Sequence, residues 1–355
     1  MSKLTALTDF KKKFDIELEK YLNKAIKETA KNDSLMAETL RYIKKMMLAG
    51  GKRLRPALMY HGYLAAGGKE KKNILQATIG IELINTYFLI HDDIMDQDEK
   101  RHGMETIHLY YEKAGKKLIG KSDTKHFGNS MAIVAGDMIN TLGNQAVCKS
   151  EFDLRVVVKA LEKLQSIILT TIIGQSQDMI IEYRRQATEK EILKMYKNKT
   201  ARYTVEGPLH LGAILAGANN SFLKKLSNYA IPAGIAFQIQ DDTLGVIGDE
   251  EKTGKSVGSD IRQGKYTILV AKAFEKSDAK QKNILKNTLG KKNLTKKDLE
   301  NFRNIIKETG SLDYAKELSL KLVLKAKKEL AGIKMNKEAK IFLNDIADYM
   351  IQREL

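Results

Sequence analysis

Three prolines in 355 residues, at positions 56, 208 and 232, constrain the fold of this chain more than any other feature. Proline lacks a backbone N–H and its ring clashes with the preceding helical turn. Its scarcity leaves long helices permitted along almost the whole sequence. The apolar residues follow that rhythm. Phe14, Leu18, Tyr21, Leu22 and Ile26 fall at helical spacing, as do Leu154, Val158, Leu161 and Leu164. Leu226, Tyr229 and Ala230 lead into Ala233, Ala236 and Phe237 in the same way. Strand-like alternation is hard to find, and the β-branched run Ile167–Ile173 lies inside a longer helical pattern. Glycines punctuate the pattern at Gly50-Gly51, Gly67-Gly68, Gly103, Gly115–Gly120, Gly217 and Gly245–Gly264. A hydrophobic content of 43% is ample for a large core. These features predict an all-α fold: one domain over residues 1–355, a single bundle of ten or more helices around a central cavity. The apolar helices 74–91, 156–182 and 226–242 are expected at its buried centre, and 277–297 as a polar connection around a short helix.

One cysteine, Cys148, cannot form an internal disulfide, which fits a reducing compartment. The N-terminus reads as an amphipathic helix without an apolar signal core. No uninterrupted apolar run approaches the length of a membrane span. A cytoplasmic protein is expected. The net charge of +17 raises nucleic acid, anionic membrane surfaces and anionic small molecules as partners. The lysines cluster late, in 272–297 and 321–328, without interleaved aromatics, so they read as a solvated surface and not as a nucleic-acid site.

Two acidic clusters about 150 residues apart carry the chemistry. The first, HDDIMDQDEKRHG, holds Asp92, Asp93 and Asp96. The second opens with Asp241 and Asp242 in FQIQDDTLGVIGDEEKTGKSVGSDIRQGK. At 100° per residue, Asp92 and Asp96 lie about 40° apart on one helix face. Like charges there repel by roughly 0.2–0.5 kcal/mol per pair, and a divalent cation turns that repulsion into affinity. Oxygen-only donors favour Mg²⁺, completed by substrate phosphates. The segment GGKRLRP adds Lys52, Arg53 and Arg55, where guanidinium forks suit phosphate. Together these features suggest one anion held by basic residues and another through bridging metal.

Six segments in order, GGKRLRP, ELINTYFLIHDDIMDQDEKRHG, FGNSMAIVAGD, GQSQDM, the KT of KNKT and FQIQDD…TGKSVGSDIRQGKYT, resemble the trans-isoprenyl diphosphate synthase family. The ending FLNDIADYMIQREL is similar to its last helix. The resemblance implies chain elongation: isopentenyl diphosphate condensed with an allylic diphosphate by a Mg²⁺-dependent homodimer, with three ions per site. Asp92 and Asp96 match the metal ligands of the first motif, with Asp93 supporting. Asp178, Asp241 and Asp242 complete the metal-facing carboxylates. Lys52 and Arg55 match the isopentenyl diphosphate pocket, and Arg101 matches a diphosphate contact. Gln175 belongs to the helix facing the metals. Lys199 matches the allylic diphosphate contact and Thr200 lies beside the developing cation. Phe237 and Gln238 open the second motif, and Lys255, Asp260 and Lys265 lie in its trailing loop.

Four positions depart from the family pattern. Asn85 stands where relatives have His or Gln, and His102 where most have a second arginine. Glu105 replaces a proline, and Gly245 a third aspartate. Asn85 and His102 thin the isopentenyl diphosphate pocket, so weaker or pH-dependent binding is expected. A longer connection, Leu109–His126, has no readable function. Tyr87 and Phe88, five and four residues upstream of Asp92, are expected one turn deeper on nearly the same face, and resemble the bulky floor that stops chains at C15, with C20 next. His61, Met46 and Met47 read as core residues. Two alternatives stand beside the synthase: a terpene cyclase, which needs no basic pocket, and a non-catalytic partner subunit.

Overall fold

The computed structural model describes residues 5–120, 123–248 and 258–352. Helices α1 (Thr5–Thr29), α2 (Ser34–Ala49), α3 (Leu54–Ala65) and α4 (Lys71–Met95) open the chain. A two-residue hairpin, β1 (Lys100–Arg101) with β2 (Met104–Glu105), follows, then α5 (Ile107–Leu118), α6 (Thr124–Cys148), α7 (Leu154–Arg184) and α8 (Glu189–Tyr196). A π-helical segment, Lys197–Glu206, joins α8 to α9 (Gly207–Leu215), and α10 (Asn220–Ile247) comes next. The remainder is α11 (Ser259–Gln263), α12 (Ile268–Lys276), α13 (Ala279–Thr288), α14 (Lys296–Glu308), α15 (Ser311–Ala331) and α16 (Lys337–Gln352). The all-α expectation holds. The hairpin was not anticipated. Its turn, His102-Gly103, takes positive φ at both residues (53° and 77°), the combination a two-residue hairpin demands.

The long helices begin where side chains cap them. Asp33, Asp153 and Asn219 accept the N–H two or three residues on, starting α2, α7 and α10. Thr188 and Glu191 form a reciprocal capping box on α8. Helices α4 and α10 run through the interior. Ile81, Leu83 and Ile84 of α4 and Tyr229, Ala233 and Ile239 of α10 are fully buried. Each such Leu or Ile contributes about 1.5–3 kcal/mol on burial. By length and composition α4 passes as a membrane span, yet 72% of its most apolar window is buried inside the protein. It is a core helix.

Helix α7 departs from expectation. Only one side of it faces the core. Val158, Leu169, Ile172, Ile173, Ile180 and Tyr183 are exposed, by 45% to 82%. At 100° per residue they fall within about 60° of a single line along the helix. The 109–126 connection is also more ordered than its sequence suggests, since most of it is α5, beyond its first two residues, and the start of α6.

Candidate active site

The C-terminal end of α4 presents Asp92 and Asp96 to α7 and to the loop after α11. Gln175 donates to Asp92 across a 2.8 Å hydrogen bond. Lys265 lies 2.9 Å from Asp96, 3.7 Å from Asp178 and 2.8 Å from Glu182. Lys199 lies 2.6 Å from Asp178. Four carboxylates and two ammonium groups thus meet between α4, α7, the π segment and the post-α11 loop. Burial, and after it the Asp92 charge, push Asp96 up to about 6. Burial alone would raise Asp178 too, but Lys199 and Lys265 bring it below the ordinary range. Burial works to lower both lysines, and the surrounding carboxylates overcome it, so both stay charged.

Gln175, Asp178 and Glu182 stand at i, i+3 and i+7 on one face of α7. Glu182 was missed in the sequence, although GQSQDMIIE carries the spacing that would have found it. Among the described residues no three carboxylates or imidazoles converge closely enough to hold a cation unaided. The donor set nevertheless fits Mg²⁺. It is oxygen-only, its carboxylates crowd one another, and ammonium groups occupy the space between them. Mg²⁺ ordinarily takes one or two carboxylates and completes its shell with water and phosphate oxygens.

The remaining aspartates are engaged elsewhere. Asp93 lies about 100° around α4 from Asp92 and pairs with Arg101, whose Nε is 3.0 Å away. Arg101 also reaches Asp98 at 3.2 Å. Burial pushes Asp93 up to about 7, against the pull of Arg101. Asp242 is buried, accepts the Tyr196 hydroxyl, and takes Gln238 Nε2 at 2.7 Å. Burial pushes it up to about 8. Gln238 in turn receives the Thr200 hydroxyl at 2.5 Å. A relay Tyr196–Asp242–Gln238–Thr200 therefore sets the threonine. The structure places Asp93 and Asp242 behind their neighbours, not with the Lys265 cluster. Asp241 follows the α10 face of Phe237 and Gly245.

Gly245 has a spatial explanation. A Cβ there would lie 1.8 Å from Asp260 Oδ2. The space that a third aspartate would use is filled by a carboxylate from α11. Lys255 lies outside the described residues.

The basic half sits at the other end of the π segment. Arg55 donates to Thr204 at 2.9 Å and stacks 4.6 Å from the centre of the Tyr203 ring. Its Nε is buried with no partner, a donor that an incoming acceptor would satisfy. The Tyr203 hydroxyl donates to Asn85 Oδ1 at 3.2 Å. Lys52 contacts the Tyr349 hydroxyl on α16. Arg53, in contrast, is buried and structural, held by Asp15, Glu82 and the Met47 carbonyl. The α2–α3 loop also touches His102: a methyl on Gly50 would sit 2.4 Å from its Nδ1. Burial, then Arg101 and Arg53, lowers the His102 pKa, so the imidazole is neutral near pH 7. Glu105 turns to Lys113 of α5, so the 109–126 segment supplies its counter-ion.

The Phe88 and Tyr87 rings touch, 4.8 Å between centres, but leave α4 at different angles. Phe88 lies within about 40° of Asp92 and meets Tyr203 edge-on at 5.0 Å. Tyr87 points about 140° away, packs on His91 at 4.8 Å and faces Asp137 of α6. The expectation that both rings share the face below Asp92 is corrected: only Phe88 does.

The Lys-Thr pair lies in a rare backbone form. The π segment is wedged between α7 and α10 at two glycines. A Cβ on Gly174 would lie 2.3 Å from Lys199 N, and one on Gly234 would lie 2.5 Å from Ala201 Cα. π-helical turns are uncommon and concentrate at functional sites.

A polyprenyl synthetase family model matches residues 33–306, which include all of these groups except Asp15 and Tyr349. The chain belongs to the polyprenyl synthetase family of prenyltransferases. It is 37% identical to a geranylgeranyl diphosphate synthase of Saccharolobus solfataricus over 318 residues, covering 87% of this chain and 88% of that one. It is 33% identical to a geranylfarnesyl diphosphate synthase of Aeropyrum pernix, covering 90% and 95%. Its fold matches a geranylgeranyl pyrophosphate synthase of Corynebacterium glutamicum, complexed with isoprenyl diphosphate and magnesium. The TM-score is 0.92 at 29% identity, over 98% and 99% of the two chains. These relatives are C20 and C25 synthases, and they displace the C15 expectation.

Proposed function

We propose that this polyprenyl synthetase is a Mg²⁺-dependent, chain-elongating enzyme that condenses isopentenyl diphosphate with allylic diphosphates and releases mainly a C20 product. The observation that carries this reading is the convergence of Gln175, Asp178, Lys199 and Lys265 on Asp92 and Asp96. Asp92, Asp96 and Asp241 would hold Mg²⁺, which would supply positive charge to the leaving diphosphate. Lys199, Lys265 and Arg101 bind the diphosphate and stabilise its charge as the allylic C–O bond breaks. Thr200, positioned by Gln238, presents oxygen to the carbocation at C1. Lys52, Arg55, Asn85 and His102 hold isopentenyl diphosphate, whose C4 attacks C1 to form the new C–C bond. A proton then leaves C2 for the released diphosphate. Asp93 and Asp242 position Arg101 and Gln238. Product length rests on Phe88 as the ring below Asp92, with Tyr87 packed against its flank. A terpene cyclase would have no use for the unmet Arg55 donor.

Residues 1–355 act as one unit, with Lys52–Tyr349 and Lys71–Glu338 tying the two ends of the chain together. The exposed stripe on α7, with Ile133 and Val134 of α6 beside it, is the face on which two copies pair. It runs about 40 Å at 1.5 Å per residue, far beyond a scattered surface hydrophobe. Leu169→Glu with Ile180→Glu should convert a dimer to monomers in sedimentation velocity.

The deciding experiment supplies labelled isopentenyl diphosphate and C5, C10 or C15 primers with Mg²⁺, and sizes the dephosphorylated products. A metal-dependent C20 product, lost in Asp92→Ala, is expected. A C15 product would overturn the length assignment, and no elongation with any primer would overturn the synthase.

A further inference from the structure

We infer that the outer face of α15, extended by α16, is a docking surface for an anionic lipid bilayer. Large exposed apolar side chains outside the α6–α7 stripe are mostly isolated, except for Leu320 and Leu324 of α15 and Ile341 of α16, exposed by 50%, 59% and 52%. Leu320 and Leu324 are one turn apart on the side of α15 that turns away from the core residues Ala315, Val323 and Ala326. Lysines flank them. Lys321, Lys325 and Lys328 rise on one side of the leucine line, and Lys316 and Lys327 on the other. Ile341 continues the apolar line, because it shares an α16 face with Asp348, and Asp348 meets Lys327 of α15 at 2.7 Å.

The acidic groups near this face are few or engaged. Asp348 is held by Lys327, and Glu329 accepts from Asn228 of α10 at 3.3 Å. Asp313 and Glu317 are confined to the first two turns, and Asp345 lies one turn beyond Ile341. From Leu320 to Ala331 the exposed positions carry leucine, lysine and alanine only. Leucines in the middle and lysine ammonium groups at the flanks match a bilayer interface, where apolar side chains enter the acyl boundary and cations meet lipid phosphates. Lysine stems reinforce this by lying along apolar surface while their heads reach outward. The whole chain, at +17, is drawn to the same surface.

Helix α15 packs on α10, which packs on the π segment, which packs on α7. The lipid face is therefore layers away from the proposed pairing face, and a dimer can dock without giving up either. The inference stands on surface residues and holds whatever product length the enzyme makes.

The test is co-sedimentation of the full chain with vesicles of phosphatidylglycerol and phosphatidylcholine, against phosphatidylcholine alone. Binding to the anionic vesicles is expected, lost at about 1 M salt, where the Debye length is about 3 Å. Lys321→Glu/Lys325→Glu/Lys328→Glu should weaken it at least about ten-fold, and Leu320→Ser/Leu324→Ser several-fold. A control, Lys280→Glu/Lys286→Glu/Lys292→Glu on α13 and the following loop, makes the same change in net charge and should bind nearly as wild type. Unchanged prenyl transfer and unfolding temperature confirm that the variants fold. Equal binding to neutral vesicles, equal loss in the control, or a change in oligomeric state in the α15 variants instead of lost vesicle binding would each overturn the proposal.

Discussion

Single side chains in this site act by where their neighbours let them point. Gly245 shows this most directly. The resemblance puts a third aspartate there in many relatives, and the sequence alone reads the glycine as a variant that need not abolish metal binding. The structure puts the Asp260 carboxylate into the vacated space. Gly245→Asp should therefore damage the enzyme, because two carboxylates would claim one volume and repel. A fall in kcat of at least about ten-fold is expected, with partial recovery in Gly245→Asp/Asp260→Gly. Recovery in the double variant separates shared space from simple instability. His102 gives a second case. Its pKa lies below the ordinary 6.5, so it is neutral near pH 7 and gains charge only as pH falls. The KM for isopentenyl diphosphate should drop as pH is lowered through that value. His102→Arg should lower KM roughly ten-fold at pH 7 and remove this pH dependence. A flat KM profile in the wild type would refute the role.

At the scale of elements, the parts of the site carried by regular helix were legible. Asp92 with Asp96, and Gln175 with Asp178, follow from 3.6-residue periodicity, as do α4, α7 and α10. Two kinds of feature were not. The direction of neighbouring rings was misread for Tyr87, since one residue along a helix swings a side chain by about 100°. The relay through Tyr196 and Asp242 depends on contacts between α8 and α10 that no local pattern encodes. Nor did any pattern announce the exposed side of α7, because an apolar stripe reads the same whether it meets the core or another molecule. The two aromatics touch but stand about 100° apart around α4, so they should affect product length differently. Phe88→Ala should lengthen the product by at least one C5 unit, while Tyr87→Ala should change length little and cost stability through lost packing on His91. Product sizing with a C15 primer checks both, and lengthening in Tyr87→Ala alone would reverse the assignment.

Across the whole molecule, buried histidines weaken the fold towards acid, while the raised carboxyls of Asp93, Asp96 and Asp242 work in the opposite direction. His61 is buried against Phe342, and burial lowers it to about 3. His210, buried beneath α10, falls to about 4. Unfolded, both would titrate near 6.5. The unfolded chain therefore binds more protons below that pH, and the stability these groups contribute, complete above 6.5, drains as pH falls towards 4 and then 3. The slope is at most about 1.4 kcal/mol per pH unit for each histidine. Chemical denaturation at pH 7 and pH 5 isolates the histidine contribution: His61→Phe, which keeps an aromatic against Phe342, should lose less stability over that range than the wild type. Gly174 and Gly234 press the π segment between two long helices. The backbone that carries Lys199 and Thr200 is located by main chain against main chain, while the Thr200 hydroxyl is aimed by the relay through Gln238. The residues beneath the growing chain hang from α4 as ordinary side chains and are free to vary. On the proposed reading, bond making is thus anchored where backbone presses on backbone and substitution is costly, and chain length is set by side chains that can be exchanged. Divergence from such a scaffold runs toward new product sizes long before it reaches new chemistry.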